Sequence, residues 1–121
     1  MTPLIKSGLG WRVGWDPNAP QYPALVGTDD WAIELTAAEL ADFCRLTDRL
    51  VATLETLATE LMDEEAITCE LECDRLWVEA EGFPHAYRLR LILQEGRRAE
   101  ATWTAAATPE LLQALRTLQV F

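Results

Sequence analysis

Basic residues are scarce in this chain: ten lysines and arginines stand against twenty aspartates and glutamates in 121 residues, and Lys6 is the only lysine. The resulting net charge of −10 repels phosphate backbones and puts generic nucleic-acid binding at a disadvantage. Histidine is nearly missing. His85 has no second histidine or thiol at ligand spacing, so a zinc site is not expected and His85 reads as a surface loop residue. The cysteines are three, Cys44, Cys69 and Cys73, an odd number with no CxxC. Cys69 and Cys73 fall on one strand roughly 13 Å apart, too far for a disulfide or a shared zinc, and all three read as buried reduced thiols. Nowhere do about 18 apolar residues run together without a charge, which excludes a transmembrane helix. The start Met1-Thr2-Pro3-Leu4-Ile5-Lys6 has neither the basic region nor the apolar run of a signal peptide, so the expectation is a cytoplasmic protein without a membrane partner.

What is present is the composition of a folding chain. Half the residues are apolar and a quarter charged, ordinary for a globular domain, and 13.6 kDa is the size of one hydrophobic core. Strands come first. From Leu9 to Trp15, the residues Trp11, Val13 and Trp15 alternate with Gly10, Arg12 and Gly14, a period of two that buries one face. Three prolines, Pro17, Pro20 and Pro23, then forbid a regular element. Ala24–Gly27 and Trp31–Leu35, split by Thr28-Asp29-Asp30, read as a hairpin.

The period then changes to that of a helix. Thr36-Ala37-Ala38-Glu39 is a capping box, in which the Thr hydroxyl and the Glu carboxylate each satisfy an orphan backbone donor. A stripe of Leu40, Phe43, Cys44, Thr47, Leu50, Val51, Leu54, Leu57, Ala58 and Leu61 follows at helical spacing. Run to Met62, the helix would be about 40 Å long, more than a domain of this size covers, and part of the stripe is then available to a second copy of the chain.

The second half repeats the plan. Ile67, Cys69, Leu71 and Cys73 alternate with polar residues, and after Asp74-Arg75 so do Leu76, Val78 and Ala80. A two-residue turn there pairs Cys73 with Leu76, Leu71 with Val78 and Cys69 with Ala80, all apolar and all on one face. With Gly82-Phe83-Pro84-His85 as a loop and Glu95-Gly96-Arg97 as another, Tyr87–Leu93 and Ala99–Trp103 complete a four-stranded meander. Thr108-Pro109-Glu110 opens a last helix with Thr108 as its cap. Trp31 precedes Thr36 by five residues and Trp103 precedes Thr108 by five, an offset that also aligns Leu40 with Leu112, Phe43 with Leu115 and Leu46 with Leu118. The fold class expected is therefore α+β: one domain of two pseudo-repeats, about 1–64 and 65–121, each an antiparallel β-meander followed by a helix and packed on the other.

The start Gly10-Trp11-Arg12-Val13-Gly14-Trp15, the proline loop, the Trp31 to Thr36 approach to a long helix and the acidic second meander resemble a cyanobacterial family of unknown function of about this length. That family is similar in fold to the Whirly-type single-stranded-DNA-binding transcriptional regulators, and the resemblance implies a Whirly-like arrangement of four-strand-plus-helix units. The lysine-containing strand signature by which Whirly proteins contact DNA has no match here, and no functional residue is carried over.

Catalytic and metal constellations do not assemble. His85 with Ser7 or a cysteine would have to join separate elements. Gly8-Leu9-Gly10 begins like a dinucleotide fingerprint, but Val13 stands at the third glycine and no helix follows. Asp29-Asp30 and Asp63-Glu64-Glu65 read as solvated turn chemistry rather than cation sites. No cofactor and no enzymatic activity are expected. The surface with content is the polar face of the second meander. There the register above sets Glu70 opposite Glu79 with Arg88 beyond it, and aligns Glu72, Trp77, Arg90 and Thr102. A tryptophan beside an arginine is a stacking platform for a base, and Arg88, Arg90, Arg97 and Arg98 form the one locally basic stretch. Trp77, Arg88, Arg90 and Arg98 are thus the candidate partner or nucleic-acid surface. The expected function is a non-enzymatic binding or regulatory module acting on a protein partner through the acidic surface or the long helix; the alternative is weak single-stranded DNA or RNA binding.

Overall fold

The alternating segments of each half pair as neighbours, giving two four-stranded antiparallel sheets in a computed structural model that describes residues 3–60 and 65–118. The first sheet has the order β1 (Leu4–Gly8), β2 (Trp11–Trp15), β3 (Ala24–Gly27), β4 (Ala32–Leu35), and α1 (Ala37–Ala58) follows it. The second has the order β5 (Ile67–Glu72), β6 (Leu76–Phe83), β7 (Ala86–Leu93), β8 (Glu100–Trp103), and α2 (Thr108–Thr117) follows it. The α+β class is as expected. The first strand is not: the segment read as Leu9–Trp15 divides into β1 and β2 about a two-residue turn, Leu9-Gly10. Gly10 has φ +83, a left-handed conformation that glycine adopts without steric cost, so the chain reverses there and Leu9 stands fully out in solvent.

The capping box is present in both directions, Thr36 Oγ1 accepting from Glu39 N–H at 3.1 Å and Glu39 Oε1 accepting from Thr36 N–H at 2.8 Å. Leu40, Phe43, Cys44, Leu46, Thr47, Leu50 and Leu54 are buried along α1, while Val51, Leu57 and Ala58 are half-buried. The helix ends at Ala58 with Thr59 as its C-cap, short of the expected Met62; Leu61 and Met62 themselves lie outside the described residues, as do Asp63 and Glu64. The second helix departs from expectation at its start. Thr104 to Ala107 already turn helically, Ala107 is the cap, and Thr108 is a helical residue whose hydroxyl donates to the Thr104 carbonyl at 2.8 Å. The tryptophans offset by 72 are likewise not equivalent: Trp103 ends β8, whereas Leu35 ends β4 and Trp31 precedes it. Instead the two rings meet in the core, their centroids 5.9 Å apart.

Helix placement joins the halves. α1 leaves the first sheet yet lies on β5 and β6 of the second, and α2 leaves the second sheet yet lies on β2 of the first. The apolar stripe of each helix thus covers the other half's sheet, and one continuous cluster runs from Trp11, Val13 and Val26 through Leu40, Phe43 and Leu50 to Val78, Leu91 and Leu115. Trp103 is its largest fully buried side chain. It stacks on Phe43 at 5.9 Å and donates its indole N–H to the Gly27 carbonyl at 2.8 Å, tying the sheets together. Of the three cysteines, all reduced, only Cys44 is buried; Cys69, on the edge strand β5, and Cys73, just after it, are half-buried. No helix among the described residues is long and apolar enough to cross a membrane.

Candidate binding surface on the second sheet

The outward face of the second sheet carries every residue that alternation turns away from the core. Its first hairpin has the expected register, Cys69 opposite Ala80, Leu71 opposite Val78 and Glu70 opposite Glu79. Across β6 and β7 the register differs by two residues. Gly82 and Phe83 remain in β6, Pro84-His85 is the turn, and Phe83 pairs with Ala86. Gly82, at φ +143, continues the strand in a conformation closed to other residues, so the glycine read as a loop former is a strand residue. His85 stands exposed in that turn.

Two corrections follow. Glu79 faces Arg90 rather than Arg88, and Trp77 faces Ile92 rather than Arg90. The rows are Thr68–Glu81–Arg88, then Glu70–Glu79–Arg90–Thr102, then Glu72–Trp77–Ile92–Glu100. Long side chains restore part of the expected grouping on the diagonal, which is within reach of arginine. The Arg90 guanidinium lies 5.6 Å from the centre of the Trp77 ring while its Nε donates to Glu100 at 2.6 Å. Arg88 binds Glu81 at 2.9 Å and approaches Glu79 at 3.9 Å, relieving the repulsion between Glu70 and Glu79. Arg98 is not part of this group. It is exposed in the loop after β7, beside Ile92 and Glu100 on a shallow depression of about 370 Å³, and has no ion pair among the described residues.

Both strand arginines are therefore already occupied, and Glu70, Glu72, Glu79, Glu81 and Glu100 outnumber the cations around them. Such a face attracts cations and repels phosphate. Beside it, burial and the neighbouring Glu70 carboxylate raise the Cys69 thiol above its ordinary 9.0, disfavouring the thiolate. Among the described residues no cluster of histidine, cysteine, aspartate and glutamate is arranged to hold a metal ion.

A third arginine does work that the sequence does not reveal. Arg97, between β7 and β8, donates to the Glu34 carbonyl and to the buried Glu39 carboxylate, and its guanidinium lies 4.4 Å from the centre of the Tyr22 ring. It fastens the second sheet's loop to the proline loop and the start of α1. Asp42 is held in a comparable way: burial disfavours its carboxylate, but hydrogen bonds from Arg75 at 2.9 Å and Arg45 at 3.3 Å prevail and lower its pKa below 3.8. No local pattern signals either contact, since the partners are 58 and 33 residues apart.

These features define an α+β protein of two four-stranded antiparallel sheets with exchanged helices and an acidic outer face. The chain belongs to the family described as a domain of unknown function, DUF1818, whose model matches residues 6–118. It is similar to a solved protein of unknown function from Prochlorococcus sp. NATL2A, described as of the DUF155 family: 30% identical, TM-score 0.90, with 95% of this chain and 98% of that chain covered. A comparison with curated proteins finds no match.

Proposed function

We propose that this chain is a non-enzymatic binding or regulatory module of the cytoplasm that acts on a protein partner with a basic docking segment. The observation that supports this reading is the carboxylate surplus on the outer face of the second sheet, where Arg88 and Arg90 are engaged by Glu81 and Glu100. Exposed ion pairs contribute less than about 1 kcal/mol each, so a partner's cations exchange for these arginines at little cost. A second reading is favoured by one geometric feature, the Arg90 guanidinium over Trp77. In it the chain is a weak single-stranded DNA or RNA binder on a Whirly-like architecture, with Trp77 stacking a base and Arg88, Arg90 and Arg98 meeting phosphates.

Anisotropy of a labelled oligolysine peptide and a labelled oligothymidine, at low and physiological salt, separates the two. The protein-partner reading expects the peptide to bind with an affinity that falls with salt and is lost in Glu79→Lys, while oligothymidine stays unbound even at low salt. Salt-sensitive oligothymidine binding that disappears in Arg90→Glu would overturn it in favour of the nucleic-acid reading.

A further inference from the structure

The outer face of the first sheet contains a row that runs across its four strands: Ile5, Gly14, Leu25 and Glu34. Gly14 leaves a gap in the middle of that row. Together with the proline loop, the gap makes a pocket of about 210 Å³ whose lining includes Ile5, Gly14, Asp16, Tyr22, Leu25 and Glu34. That volume is below the roughly 300–1,000 Å³ of small-molecule sites, but it is room for one side chain. The fold does not require the glycine. Gly14 is not among the glycines with positive φ, and a Cβ placed on it would meet Ile5, Leu4 and Leu25 atoms at 3.5–3.6 Å, ordinary contact distance. A mid-strand glycine is unfavourable for the strand, so what it does here is open the trough.

The lining has a direction. Ile5 and Leu25 flank the gap with apolar surface, and Ile5 is 71% exposed. Glu34, two strands from Gly14, lies about 10 Å away at the usual strand spacing, and Asp16 follows the end of β2 on the proline-loop side. Apolar walls ending at carboxylates match a side chain with a long aliphatic stem and a cationic head, which buries the stem and keeps the charge at the rim. The nearest basic residues of the chain do not fill this role. Arg12 is directed to the Thr28 carbonyl, and Arg97, held by Glu34 O, Glu39 and the Tyr22 ring, borders the pocket from behind its Tyr22 wall without lining it.

We infer that the trough over Gly14 is a binding site for a single arginine or lysine side chain of a partner protein. The inference takes its ligand class from the reading of the chain as a binder of basic protein segments, but it places a distinct contact on the opposite half of the molecule. Two contacts on separate sheets let one extended basic segment, or two copies of it, engage the chain with an avidity neither contact provides alone.

The test is a nuclear magnetic resonance titration of the full chain with N-acetyl-arginine N-methylamide, with the norleucine and glutamate analogues in parallel. The arginine probe is expected to shift the amides of Gly14, Leu25 and Glu34, the norleucine probe to do so about two- to fivefold more weakly, and the glutamate probe not at all. Gly14→Val fills the trough and should weaken the arginine probe at least tenfold with the melting temperature kept. Glu34→Gln, at an exposed side chain, should weaken it about two- to fivefold and make arginine and norleucine alike. Unchanged binding in folded Gly14→Val, or equal binding of arginine and norleucine to the wild type, would overturn the inference. Shifts confined to the Trp77 indole and the second sheet would overturn it too, while leaving the reading of that face intact; no shift anywhere would count against both.

Discussion

Trp103→Phe tests whether one side chain holds the two sheets together. Trp103 is fully buried, stacks on Phe43 and donates to the Gly27 carbonyl at 2.8 Å. Phenylalanine keeps an aromatic ring but removes the donor, losing the bond to Gly27, a ladder partner of Arg12, at about 0.5–1.5 kcal/mol. The lost ring volume adds about 1 kcal/mol, toward the low end for large-to-small core changes. The sum, about 1.5–2.5 kcal/mol, is a large share of the roughly 5–15 kcal/mol that holds a domain folded. For a chain of this length it lowers the melting temperature by about 6–10 °C. Trp31→Phe is the control, since Trp31 touches the same ring but is only half-buried, and its cost should stay near or below 1 kcal/mol. Urea denaturation followed by far-ultraviolet circular dichroism measures both without relying on tryptophan emission. A Trp103→Phe cost below about 1 kcal/mol, or one equal to that of Trp31→Phe, would refute the reasoning.

Further outcomes follow from other contacts. Gly27→Ala should destabilise by more than about 2 kcal/mol, because a Cβ there overlaps the Trp31 carbonyl oxygen and the Ala32 Cα; Gly14→Ala, whose Cβ would meet its neighbours at ordinary contact distance, should be neutral or stabilising, and thermal melts compare them. Burial opposes the Asp42 carboxylate, but hydrogen bonds from Arg75 and Arg45 hold its pKa below 3.8, so it contributes stability above that value that is lost as the pH falls through the lowered one. Asp42→Asn should therefore flatten the acid limb of a denaturation series. Burial and then Glu55 raise the Tyr87 phenol above 10.0 against the opposing pull of Arg116. Its contribution is complete below 10.0 and is lost as the pH rises through the raised value. An absorbance titration of the Tyr22→Phe variant, in which Tyr87 is the reporting tyrosine, should place its midpoint above 10.0.

Period and caps carried the element order: the α1 capping box and the β5–β6 register are present as the residues imply. The two-residue difference between the expected and observed β6–β7 register marks the limit of that logic. Alternation has a period of two, so a slip of one residue turns every apolar side chain outward, but a slip of two keeps them all inward. Apolar patterning was blind to it, and only Gly82's left-handed conformation distinguishes the registers. β1 was hidden for a related reason, since Leu9-Gly10 sits inside a run that alternates on either side of the turn. The contacts of Arg97 and the trough over Gly14 arise from elements far apart in the chain. Local spacing holds no trace of the first, and only an isolated mid-strand glycine hints at the second.

The exchange of helices sets an order of events during synthesis. α1 emerges ahead of the sheet it will cover, but the first sheet, complete at Leu35, waits for α2, which ends at Thr117. The interval is 117 − 35 = 82 residues, about 4–16 s at the roughly 5–20 residues per second of translation. Throughout it the faces of Trp11, Val13 and Val26 lack their cover on the ribosome. A nascent chain of this design is exposed to aggregation through its N-terminal half until α2 has been made, and a stop codon just before α2 would leave that exposure permanent.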